Sequence, residues 1–210
     1  MASSAFAQIN DRSKSRKVKA VLAGGLVLGL GATITLAVWN DSEFVTGAFG
    51  AGHFNVQGSA DGTTFADHTP SGAAATLSFS TGFDNLSPGQ TVVSPYVLHL
   101  DKDTTTGATV SVNSATSSGT AAGDLTYKIV EVATVLDCTP AATGASTIVP
   151  AGTALDSVAS AVPFILTKSA TLGTDPGADV FLCIQVTSST TLVQGTSAVG
   201  IWEFLATSTS

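Results

Sequence analysis

The residues able to do chemistry are few and widely spaced. Histidine occurs only as His53, His68 and His99. A zinc peptidase sets its ligands close together, as in His-Glu-x-x-His on one helix face. Here no Glu stands three or four residues from any His. Serine and threonine abound, yet no Gly-x-Ser-x-Gly elbow presents one of them as a nucleophile. Asp101-Lys102-Asp103, with Asp175 and Asp179, has the oxygen chemistry of a Ca²⁺ ligand set. Solvated loop acids are the plainer reading. The sequence therefore assigns no catalytic residue, no metal ligand and no cofactor, and predicts a protein that is not an enzyme.

Cysteine offers a different chemistry. Cys138 and Cys183 are the only two, and each adjoins an apparent strand. In an oxidising compartment two cysteines make one disulfide; the alternative is two buried free thiols. A two-cysteine metal site lacks further ligands at suitable spacing.

The elements that position these residues alternate with a period of two, which is the pattern of strands. Ala75, Leu77 and Phe79 alternate with Thr76, Ser78 and Ser80. Tyr96, Leu98 and Leu100 share a face, so His99, on the other, is expected to meet solvent. Ala108, Val110 and Val112 repeat the pattern, as do Tyr127 and Ile129 within 126–134, and Val180, Leu182, Ile184 and Val186. Residues 164–167 add a short strand. The last strand sets Gly200, Trp202, Phe204 and Ala206 on one face, with Trp202 read as core. Ile201 and Leu205 make its other face partly apolar.

Loops rich in Gly, Pro, Ser, Thr and Asp separate the strands at 85–90, 101–107, 114–124 and 173–179. Residues 150–160 suit a short turn or helix. Asn85-Leu86-Ser87-Pro88-Gly89-Gln90 is the sharpest turn: Pro88 fixes φ, Gly89 permits positive φ, and Asn85 can cap its own turn. Many short strands with such turns define an all-β sandwich or barrel.

The N-terminal region has another character. Arg12, Lys14, Arg16, Lys17 and Lys19 are five of the eight basic residues. They precede Ala20 to Val38, nineteen residues without a charge. A basic n-region (12–19) followed by an apolar run (20–38) reads as a signal peptide over 1–38. Cleavage is expected in the region of Ala37, Val38 and Trp39. The alternative is an uncleaved anchor, because nineteen residues just span a bilayer core of roughly 30 Å. After residue 38 the chain has three lysines, no arginine and fourteen acidic residues, a formal charge of −11. Such a chain lacks the cations that nucleic acid requires. About 170 residues suffice for one buried core.

Three stretches together carry a family resemblance. The first is Trp39-Asn40-Asp41-Ser42-Glu43-Phe44-Val45-Thr46-Gly47-Ala48-Phe49, directly after the apolar run. The second is Asn85-Leu86-Ser87-Pro88-Gly89. The third is Phe181 to Val186 with Leu192-Val193-Gln194-Gly195 and Ile201-Trp202-Glu203-Phe204. The chain resembles exported proteins with a SipW-type, or alternate-type, signal peptide, the group of TasA and camelysin, and is most similar to actinobacterial members.

The resemblance implies a jelly-roll-like β-sandwich preceded by an N-terminal signal helix. It implies the Sec translocon and a SipW-like signal peptidase as partners, and the membrane only before cleavage. A secreted or cell-surface location follows, with a homo-oligomeric role in fibres or biofilm matrix. Residues 39–58 become a post-cleavage segment, either first strand or donor strand, and 59–210 the sandwich. Phe44, Ala48 and Phe54 are the candidate assembly contacts, with Gly47, Gly50 and Gly52 between them. A monomeric adhesin or ligand-binding sandwich is the alternative. Camelysin, described as a metallopeptidase, suggests an enzyme that the scattered histidines do not supply.

Overall fold

The computed structural model describes residues 16–19, 21–22, 42–80 and 82–209. The expected cleavage region at Ala37, Val38 and Trp39, and most of the expected signal helix, lie outside these. The chain divides into two units, Met1–Phe49 and Gly50–Ser210. In the first, residues 16–19 and 21–22 are helical, and 42–49 have no regular secondary structure and are exposed. Among the described residues no helix is long and apolar enough to cross a membrane.

The second unit is an all-β sandwich. Its strands are β1 (Val56–Ser59), β2 (Thr91–Leu100), β3 (Gly107–Ser118), β4 (Leu125–Val132), β5 (Ser146–Ala154), β6 (Phe164–Leu166), β7 (Val180–Ser188) and β8 (Val199–Thr209). One sheet runs β1-β2-β7-β4-β5, the other β6-β3-β8. Every pairing is antiparallel. Except for β1, this is jelly-roll topology. A jelly roll sets its first strand beside its last. Here β1 pairs with β2 instead, with Val56 opposite Leu100.

Alternation explains the core. Tyr96, Leu98 and Leu100 of β2, Tyr127 and Ile129 of β4, and Leu182 and Ile184 of β7 point inward. They meet Ala108, Val110 and Val112 of β3 and Phe164 and Leu166 of β6. β-branched and aromatic residues suit such half-buried pleats. The opposite face of the larger sheet is covered as well. Val93, Val130, Val132 and Cys183 form a second cluster under Cys138 and Ala142. Cys138 and Cys183 are disulfide-bonded. Gln185 Nε2 donates to Ala142 O at 2.7 Å, and Lys128 Nζ donates to the same oxygen at 3.0 Å.

Of the turn or helix expected at 150–160, turns form at 155–156 and 159–160, after β5, which runs to Ala154. Three expectations are corrected. β3 continues to Ser118 through what reads as loop, with a bulge between Val112 and Ser114. Ala75, Leu77 and Phe79 do pack on the core, but no strand forms there. Ser80 alone reaches across, its N–H donating to Val93 O at 2.8 Å. His99 is 5% exposed rather than solvent-facing.

The 85–90 turn forms as Pro88 and Gly89 dictate, without a hydrogen bond from the Asn85 side chain among the described residues. Gln90 N–H closes it onto Ser87 O at 3.1 Å, with Pro88 and Gly89 between, and Gly89 has φ 76°. That is a type II turn, which needs positive φ at its third residue. Asn85 contributes its main-chain N–H, to Gly82 O at 3.1 Å.

Candidate functional site

The feature with most functional content is the free side of β8. Among the described residues this strand pairs with β3 alone. The place beside it, where a jelly roll keeps its first strand, holds no strand among the described residues. Burial falls off in the same direction. The inward residues of β3 are fully buried. Those of β8 (Trp202, Phe204 and Ala206) are only half-buried against the same core. Trp202 packs on Tyr127 with ring centroids 5.5 Å apart. Its indole N–H has no hydrogen-bond partner among the described residues. The outward residues Val199, Ile201 and Leu205 are exposed apolar side chains.

Edges of this kind are templates for another strand. Eleven residues of edge offer main-chain donors and acceptors to an incoming segment. Glu203 stands in the middle of the outward row. Asn113 Nδ2 donates to its Oε2 at 2.7 Å and Ser114 Oγ at 2.9 Å. Asn113 and then Ser114 hold this carboxyl below the usual range, because both bonds favour the charged form.

The expected assembly contacts fall into two groups. Phe44 and Ala48 lie in the exposed 42–49 stretch, where Phe44 is 91% and Phe49 98% exposed. Phe54 lies in the sandwich unit and is flanked by residues tied to it. His53 bridges to Thr104, Thr105 N–H donates to His53 O at 2.9 Å, and Asp101 N–H donates to Asn55 O at 3.0 Å. Residues 53–55 are thus tied to the sandwich ahead of β1, and β1 (Val56–Ser59) straddles the 58/59 boundary expected from the sequence.

The histidines and acids are placed as follows. Nδ1–H of His99 donates to Asp179 Oδ1 at 2.9 Å, since a carboxylate only accepts. Its Nε2 lies 3.4 Å from Gln57 Oε1. Phe65 stacks on the imidazole with centroids 3.9 Å apart. His68 Nε2 lies 3.3 Å from Gly58 O. His53 is exposed. Asp101 accepts from Asp103 N–H, and Asp103 accepts from Lys102. Among the described residues no three His, Cys, Asp or Glu side chains converge on a point suited to a metal.

A surface groove of about 550 Å³ runs past Asp61, Thr64, His68 and Pro95. Asp61 Oδ1 accepts from Thr64 N–H at 2.7 Å, Thr63 N–H at 2.8 Å and Ser59 Oγ at 2.8 Å. These bonds hold its carboxyl far below the ordinary value. Such a group organises a turn; it is too weak a base to move a proton.

Sequence reasoning found neither the free edge nor the His99–Asp179 pair. Both depend on which strands become neighbours, and alternation within one strand carries no such information. No family model matches the chain, and no curated protein matches it. Fold and edge together define an all-β sandwich of jelly-roll-like topology with one long strand that, among the described residues, is paired on one side only.

Proposed function

We propose that the chain is an exported structural protein of the cell surface or extracellular matrix. Copies join when the 42–50 segment of one adds as a strand to β8 of the next. The observation that supports this most is that no strand among the described residues lies beside β8, where Trp202, Phe204 and Ala206 are only half-buried.

The segment has the right pattern. In extended form Phe44, Thr46 and Ala48 fall on one face, and Val45, Gly47 and Phe49 on the other. One face would cover the core flank, and the other would extend the Ile201–Leu205 row. Covering one phenylalanine side chain contributes about 1.5–3 kcal/mol. Main-chain hydrogen bonds add register.

Export rests on the basic cluster, the apolar run and the SipW-type resemblance, with cleavage by a SipW-like peptidase after Sec translocation. The Cys138–Cys183 disulfide is compatible with an oxidising compartment. A structural rather than enzymatic role is supported by the fate of His99, which is occupied in packing and pairing.

The test is electron microscopy of protein purified after export of the full chain. Fibres are expected from the native protein. Deleting 39–50 should abolish them and leave the thermal unfolding transition in place. Fibres that survive the deletion would overturn the exchange mechanism.

A further inference from the structure

β8 is the longest edge strand among the described residues. An edge of this length usually carries a defence: a proline, a lysine, a bulge or a buried charge. β8 has no proline and no lysine, and the extra residue of its bulge lies on β3. Glu203 is the only charged residue in β3, β6 and β8 together.

The position of that charge is specific. Two β8 strands laid antiparallel about a two-fold axis have one register that matches their apolar rows. Ile201 then faces Leu205 of the second copy, Trp202 faces Phe204, and Val199 faces Thr207. In the same register Glu203 faces Glu203. Sliding one strand by two residues sets Glu203 against Ile201 or Leu205 instead, which places a carboxylate on an apolar side chain. Like charges directly opposite each other destabilise a strand pair. The carboxylate leans toward β3, held by Asn113 and Ser114, and neither of these uncharged groups neutralises it, so the two charges repel across the strand spacing. β3 faces it with these two uncharged side chains, and β6 adds only Ile165 to the outward face.

We propose that Glu203 keeps two β8 edges from pairing with each other, so that the edge stays open to a different strand. Without the charge, two copies would close isologously, β8 to β8, and each would block the other's acceptor edge. What the edge is kept open for rests on the strand-exchange reading. The repulsion itself rests on β8 alone.

The test is sedimentation equilibrium on protein purified after export of the full chain. Below the concentration at which fibres form, Glu203→Gln should dimerise more tightly than the native protein, by on the order of fivefold. High salt should move the native protein toward the Gln variant, because it screens the facing charges. Glu203→Lys alone should not gain association, but mixed with native protein it should form pairs, because Lys then faces Glu. A packing role for Glu203 would not produce that mixed pair. The proposal is overturned if the Gln variant associates no better than the native protein, or if the mixture is no tighter than its components.

One further arm separates this idea from strand exchange. In the 39–50 deletion, Glu203→Gln pairs should persist while fibres vanish. Pairs that need 39–50 would overturn the β8-to-β8 contact. Fibres that survive the deletion would overturn only the exchange reading.

Discussion

Asn55 and Thr104 bond to each other twice. Asn55 N–H donates to Thr104 Oγ1 at 3.0 Å, and Thr104 Oγ1–H donates to Asn55 O at 3.0 Å. One hydroxyl therefore completes the main chain of a residue forty-nine positions away, as a neighbouring strand would. Thr104 is fully buried, so water does not compete. The contact fixes where the N-terminal chain joins the sandwich, just before β1.

Thr104→Val keeps the shape and removes both bonds. It leaves an N–H and a carbonyl of Asn55 short of one partner each. The expected cost is about 1–3 kcal/mol. Amide exchange should accelerate at Val56–Ser59 more than in β7. Uniform acceleration across both strands would contradict the local role.

The disulfide joins residues 45 apart. In the chain-entropy model such a loop contributes about 4 kcal/mol. Replacing both cysteines by alanine should lower the free energy of denaturant unfolding by about that amount. The cover over Val93, Val130 and Val132 should loosen first, since the disulfide pins it directly to β7. Adding reductant to the native protein should reproduce the change.

Acid should act through the Asp61 turn. The folded-state pKa lies below the ordinary aspartate value of 3.8, chiefly because Thr64 N–H and Thr63 N–H bond the carboxylate. A depressed carboxyl contributes stability that is present above its unfolded pKa and lost as pH falls through the folded one. The native protein should therefore melt at a higher temperature than Asp61→Asn at neutral pH. The two curves should converge as pH drops below about 4. Parallel curves down to the lowest pH reached would contradict the assignment.

Gly58 lies against the Tyr96 hydroxyl, and a Cβ added there would overlap it. Tyr96 belongs to the core and is nearly fully buried, so it has little room to move. Gly58→Ala is expected to cost about 1–3 kcal/mol, the usual range for overpacking. Adding Tyr96→Phe removes the offending oxygen and should recover part of the loss in thermal melts.

Legibility of the fold followed the regularity of each strand. Val180 to Val186 alternates without interruption, and β7 forms there. β5 was hidden by Pro150 and Gly152, which usually punctuate turns. Its pairing with β4 is correspondingly irregular, with two register shifts, and proline is tolerated because β5 is an edge strand. The far half of β3 is Ser- and Thr-rich with no fully buried residue over 113–118, and its bulge breaks the count of two. His99 misled for a different reason. Alternation tells which face of a sheet a residue takes, but the cover over that face comes from Phe65 in a distant loop. The exposed segment around Phe44 was legible from its apolar residues. The open side of β8 was not, because alternation within one strand does not tell which strands become its neighbours.

Trp202 adds a practical consequence. The chain has two tryptophans, Trp39 and Trp202, and only the second belongs to Gly50–Ser210. Once 39–50 is deleted, Trp202 is the sole indole fluorophore. It sits half-covered at the edge strand, its N–H without a hydrogen-bond partner among the described residues. A strand arriving beside β8 would dry one side of the ring and shift its emission toward the blue. The sandwich thus carries its own optical reporter of edge occupancy, and a synthetic peptide spanning 42–50 could be titrated against it without any label.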